Sequence, residues 1–133
     1  VRAVGDMLPS LLTGTPVLAH GDVSPDQVLY EYSTGRIWLT DFDRVRLAPA
    51  AMDLGSYLAE APPSQRHALL EGYATHRPVP GDEELGWAIA LSRLARLADP
   101  LRRAHPSWRE RIGADLTAIE RIAQSPGEET TWA

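Results

Sequence analysis

Apolar residues recur at helical spacing along most of this chain, and the exceptions gather near its beginning. From Val1 to about Gly14, the residues Val4, Met7, Leu8, Leu11 and Leu12 share one helical face, with Gly14 as a stop. Pro16-Val17-Leu18-Ala19 is too short for a helix and reads as a buried extended stretch leading into His20-Gly21-Asp22. Residues 28–32 and 36–40, Val-Leu-Tyr-Glu-Tyr and Arg-Ile-Trp-Leu-Thr, are rich in β-branched and aromatic types. Ser33-Thr34-Gly35 between them suits a short turn, so a β-hairpin is predicted. Its second strand runs directly into Asp41-Phe42-Asp43.

The remainder reads as helices. Residues 51–61 carry Met52, Leu54, Tyr57 and Leu58 and stop at Pro62-Pro63. Ser64 is placed to cap a helix with Leu69, Leu70 and Tyr73 on one face. Asp82 is expected to cap a longer helix, with Glu83 and Glu84 in its first turn, where they suit the dipole. Its stripe is Leu85, Ala88 and Ile89 beside Trp87, Leu91 and Leu94, and Pro100 should kink or end it. Ser107 and Glu110 have capping-box spacing, and Trp108, Ile112, Leu116, Ile119 and Ile122 form the expected buried stripe of a last helix. Residues 126–133 are expected to fray. The expected fold class is α+β, mostly α: one domain over 1–125, with a helical bundle at 51–124. A small hairpin positions loops at 18–29 and 40–44.

Composition narrows the function classes. A chain of 133 residues suits one domain with a real core. A net charge of −5 argues against a general nucleic-acid binder, and no apolar run is long enough to span a membrane. A cytoplasmic location is expected. With no cysteine there is no disulfide, thiolate metal site or thiol nucleophile. All 13 basic residues are arginine, so neither a Schiff-base lysine nor a phosphate-binding lysine is available. His67, His76 and His105 lack metal-ligand spacing and read as surface or capping residues.

The chemistry concentrates in residues 18–55. Asp22 follows an apolar stretch, with Gly21 beside it permitting close backbone approach. Gln27 offers an amide oxygen, and Asp41 offers a carboxylate across the hairpin. Because a hairpin returns the chain to its starting point, Asp41 can lie beside Asp22 and Gln27. Two carboxylates and an amide oxygen suit a hard cation such as Mg²⁺ that also binds phosphate. Phosphoryl transfer needs one carboxylate to orient the acceptor hydroxyl and accept its proton, and others to hold metal against the phosphates. Asp22 fits the first role; Gln27 and Asp41 fit the second.

His20-Gly21-Asp22-x-x-x-x-Gln27, a hairpin, and Asp41-Phe42-Asp43 together resemble the C-terminal lobe of aminoglycoside phosphotransferases. The wider group includes choline kinase-like small-molecule kinases with the protein-kinase fold. Asp53-Leu54-Gly55 is similar to the segment that opens the next helix in that family. The resemblance implies that Asp22 is the catalytic residue, that Gln27 and Asp41 are Mg²⁺ ligands, and that Asp43 belongs to the outer shell. The resemblance would have His20 and Asp53 support the loop, whereas by its position alone Asp53 is expected first as a cap of its helix. ATP or GTP would be the donor and a small-molecule hydroxyl the acceptor. In drug-modifying members acidic residues on C-terminal helices bind ammonium groups, which makes Asp82, Glu83 and Glu84 substrate candidates against the simpler reading of an ordinary helix start. Gln27 stands where the family usually has Asn.

The family's nucleotide-binding N-terminal lobe, with its lysine, has no counterpart in this sequence and is expected from the same longer chain. The chain alone should therefore show weak or no catalysis. Two other readings compete. A kinase-like module without catalysis would bind a partner, or a second copy, through the exposed lobe-junction surface. A haloacid-dehalogenase-type phosphatase would use Asp41 as nucleophile and Asp43 as acid/base, because residues 37–45 partly match its Asp-x-Asp-x-Val signature. The missing later lysine and the lack of βαβ alternation speak against the phosphatase.

Overall fold

A computed structural model describes residues 14–128, so the helix expected over Val1 to Gly14 lies almost wholly outside the described residues. Two short antiparallel ribbons precede the helical body. Strand β1 (Pro16–Ala19) pairs with β4 (Arg46–Pro49), and β2 (Val28–Glu31) pairs with β3 (Arg36–Leu39). The hairpin is the one the sequence predicts, each strand one residue shorter. Its turn places Gly35 at φ 69°, a conformation glycine adopts without steric cost. Strand β4 has no sequence signature: Arg46-Leu47-Ala48-Pro49 shows neither β-branched enrichment nor clear alternation.

The stretch at Pro16–Ala19 is less buried than expected. Ala19 is buried, but Leu18 is 76% exposed and its register partner Leu47 74% exposed. The physical reason is that a two-stranded ribbon has two faces, and here only one meets the helices.

The helices are α1 (Ala50–Glu60), α2 (Pro63–Ala74), α3 (Asp82–Arg96) and α4 (Trp108–Gln124), with a single helical turn at Asp99–Arg102 before α4. Leu54 and Leu58 of α1, Leu85, Ala88 and Ile89 of α3, and Ile122 of α4 form the core. Leu69, Leu70 and Tyr73 of α2 pack at its edge. Ile122→Val removes one methylene from a fully buried site, and urea unfolding should register a loss of about 1 kcal/mol.

Several helix ends differ from expectation. Helix α2 starts with Pro63 at its first position, where the missing N–H costs nothing, and Ser64 lies inside it. Gly81, not Asp82, occupies the N-cap of α3. That helix stops before Pro100, which instead lies second in the short turn, after Asp99. Ser107 is the N-cap of α4, but its side chain makes no capping bond. Of the expected α4 stripe only Ile122 is buried, and Leu116 is 43% exposed, since α4 covers one stretch of α3 and not its whole length. Of residues 126–133, which were expected to fray, 129–133 lie outside the described residues. Pro126 lies so close to α3 that a Cβ on Gly86 would sit 2.0 Å from its carbonyl oxygen.

Candidate active site

The ribbons and helices α1 and α3 meet around the loop that follows β1. Gly21 takes φ 89°, and a Cβ there would lie 2.1 Å from the carbonyl oxygen of Arg44, so only glycine lets the two loops touch. Asp53 does not cap α1, whose N-cap is Pro49. Its carboxylate instead accepts the backbone N–H of His20 (2.6 Å) and of Gly21 (2.9 Å). His20 is buried, and its Nε2 donates to the Thr40 carbonyl at 2.8 Å. Since a carbonyl only accepts, that contact fixes the proton on Nε2. The ring also lies against Phe42, with centroids 4.9 Å apart. His20 and Asp53 thus fasten the residue before Asp22 to α1 on one side and to the end of β3 on the other.

The hairpin neck then brings the second pair together. The backbone N–H and hydroxyl of Thr40 both donate to the Gln27 carbonyl, each at 3.1 Å. Beside them Gln27 Nε2 donates to Asp41 Oδ2 at 3.1 Å. Asp41 sits in the left-handed region, φ 66° and ψ 58°, at the handover from β3 to a short 3₁₀ turn. Aspartate is among the few non-glycine residues that tolerate this region.

Asp22 lines the same cavity of about 950 Å³ as Gln27 and Asp41. Its carboxylate is held by two arginines: Oδ1 accepts from Arg96 Nη2 at 2.5 Å, and Oδ2 pairs with Arg44 at 3.2 Å. Arg96, near the end of α3, also reaches Glu60 Oε1 at 2.7 Å, Ser56 Oγ at 2.9 Å and Ser92 Oγ at 3.1 Å. Sequence reasoning missed Arg96 because it lies 74 residues from its partner. No local pattern could have flagged it.

Other candidates stand apart. Asp43 is exposed, does not line the cavity and makes no ion pair among the described residues. Asp82, Glu83 and Glu84 lie in the first turn of α3, roughly 20 Å along the helix from Arg96, and none of them lines the cavity.

Among the described residues no three His, Cys, Asp or Glu side chains cluster as a closed metal site. Mg²⁺ does not need one, since it is commonly held by one or two protein oxygens with waters and substrate phosphates. Asp41 supplies one such oxygen, while Gln27 turns its NH₂, not its oxygen, to Asp41. The Gln27 oxygen currently accepts the Ser24 backbone N–H at 3.2 Å, and one of its two lone pairs remains for another partner.

The model of the phosphotransferase enzyme family, APH, matches residues 1–87. The chain belongs to that family. The matched span contains the loop after β1, the hairpin, Asp41 and Asp53-Leu54-Gly55, and it ends in the second turn of α3. Among curated proteins, none matches the chain. Family membership, together with two antiparallel ribbons and no parallel sheet among the described residues, removes the haloacid-dehalogenase reading. No described helix is long and apolar enough to cross a membrane.

Proposed function

We propose that this chain is the catalytic lobe of an ATP- or GTP-dependent kinase-like phosphotransferase acting on a hydroxyl of a small molecule in the cytoplasm. The observation that carries the reading is the contact of Gln27 with Asp41 across the hairpin neck, in one cavity with Asp22. Asp41 and Gln27 would hold Mg²⁺, which supplies charge neutralisation at the donor's phosphates. Asp22 orients the acceptor hydroxyl. As the acceptor oxygen forms its bond to the γ-phosphorus, the bond to the bridging oxygen breaks, the nucleoside diphosphate leaves, and the hydroxyl proton passes to Asp22. Each Asp22 oxygen has about two lone-pair sites, so the arginine contacts leave room for this bond.

Mn²⁺ titration of isotope-labelled protein tests the metal assignment. Paramagnetic broadening should centre on Gln27 and Asp41 and disappear in Asp41→Asn. Broadening centred elsewhere, or unchanged in that variant, would sink it.

The partner follows from the surface. Leu18, its register partner Leu47, and Ile37 are each more than two thirds exposed on the ribbons, and Leu18 and Ile37 line one apolar groove, an apolar concentration unusual for a free surface. They lie on the ribbons that carry the residues assigned to the metal, which is where a nucleotide-binding lobe of the same longer chain would sit. By itself the chain should self-associate through this face in sedimentation, and Leu47→Glu with Ile37→Glu should dissolve the association. A strictly monomeric unmodified chain would count against the docking role.

A further inference from the structure

The charges in the cavity are not evenly spent. At the end away from Asp41, each carboxylate already has a cation. Glu60 pairs with Arg96 at 2.7 Å, Asp115 with Arg93 at 2.7 Å, and Asp99 with Arg102 at 3.4 Å. Asp22 holds two arginines. In the same wall Arg103, just past the helical turn, and Arg111 of α4 have no side-chain partner among the described residues. Unspent charge at this end is therefore positive. Such guanidiniums are planar donors matched to carboxylate or phosphate oxygens, whereas a polyammonium ligand would meet them as like charges.

We propose that the acceptor is a small anionic hydroxy compound, its carboxylate or phosphate met by Arg103 and Arg111 while its hydroxyl faces Asp22. This rests on the phosphotransferase reading and adds the substrate class to it. It also replaces the expectation that Asp82, Glu83 and Glu84 gather a cationic substrate, since those residues lie outside the cavity.

The test follows the arginine side-chain N–H signals of labelled protein during titration with glycerate, glycerol 3-phosphate, glycerol and the aminoglycoside kanamycin. One or both anions should bind at least about tenfold tighter than glycerol, shifting Arg103 and Arg111, and the better one identifies the headgroup. In Arg103→Gln/Arg111→Gln that preference should vanish with the circular dichroism unchanged, since both side chains are exposed. Tighter binding of kanamycin, or anion preference surviving the double substitution, would overturn the proposal. Mn²⁺ broadening at Asp41 in the same samples separates the two failures. If it is present while kanamycin is preferred, only the acceptor class falls. If it is absent, the phosphotransferase reading falls and the acceptor assignment with it.

Discussion

Gly55→Val is expected to destabilise the chain by about 3 kcal/mol or more, enough to lower the unfolding midpoint by roughly 10 °C. Helix α1 packs against α3 more extensively than any other pair of elements, and Gly55 is the point of closest approach. A Cβ at this position would lie 2.5 Å from the Cβ of Ala88, 2.6 Å from its carbonyl carbon and 2.8 Å from the nitrogen of Ile89. Two of those atoms are helix backbone, so no rotamer change relieves the overlap and the helices must separate. Intrinsic helix propensity works the other way, since replacing a helical glycine typically gains up to about 1 kcal/mol. The packing conflict outweighs it. Gly72→Ala in α2 is the matched control, because nothing lies within 4 Å of its added Cβ. It should stabilise by about 0.5–1 kcal/mol. Thermal melts that move both variants in the same direction would contradict this account. Because Asp53 and Ser56 flank Gly55, displacement of α1 should also loosen the loop that carries Asp22.

Hairpin β2–β3 was legible in the sequence because β-branched and aromatic residues flank a turn with glycine where positive φ is required. The clustering of Gln27 with Asp41 follows from that hairpin by simple geometry. Strand β4 was not legible, because its pairing with β1 is set by where the loops deliver the chain and not by side-chain pattern. Asp53, at a helix start, reads first as a helix cap, and that reading is wrong. Its actual bonds span 32 and 33 residues, a separation at which sequence carries no signal without the fold. Leu116 matched the helical period of α4 yet stays exposed, since periodicity reports a face and not whether anything covers it. Arg103 and Arg111 look like ordinary surface arginines until the ion pairs around them are counted.

Asp22→Asn is expected to lower phosphoryl transfer by about 10²–10⁴-fold in a form carrying the nucleotide-binding lobe, while leaving Mn²⁺ at Asp41. The amide is nearly isosteric and can still accept a bond from Arg96, but it cannot take the acceptor's proton. Arg96→Gln should do something different. It frees Asp22 and Glu60 from a shared cation and removes the tie between α1 and α3 made through Ser56 and Glu60. These pairs are partly screened, so the stability loss should be about 1–3 kcal/mol. Turnover should also fall, because the carboxylate loses its orientation. Arg96→Lys restores charge but not the fork that reaches several acceptors at once, and it should recover only part of both losses. The two positions are therefore distinguishable by melting curves and turnover taken together: Asp22→Asn should cost less stability than Arg96→Gln while costing more activity. If Asp22→Asn retained full turnover with the fold intact, the proton would have to leave by another route, and the two arginines would be holding a structural carboxylate.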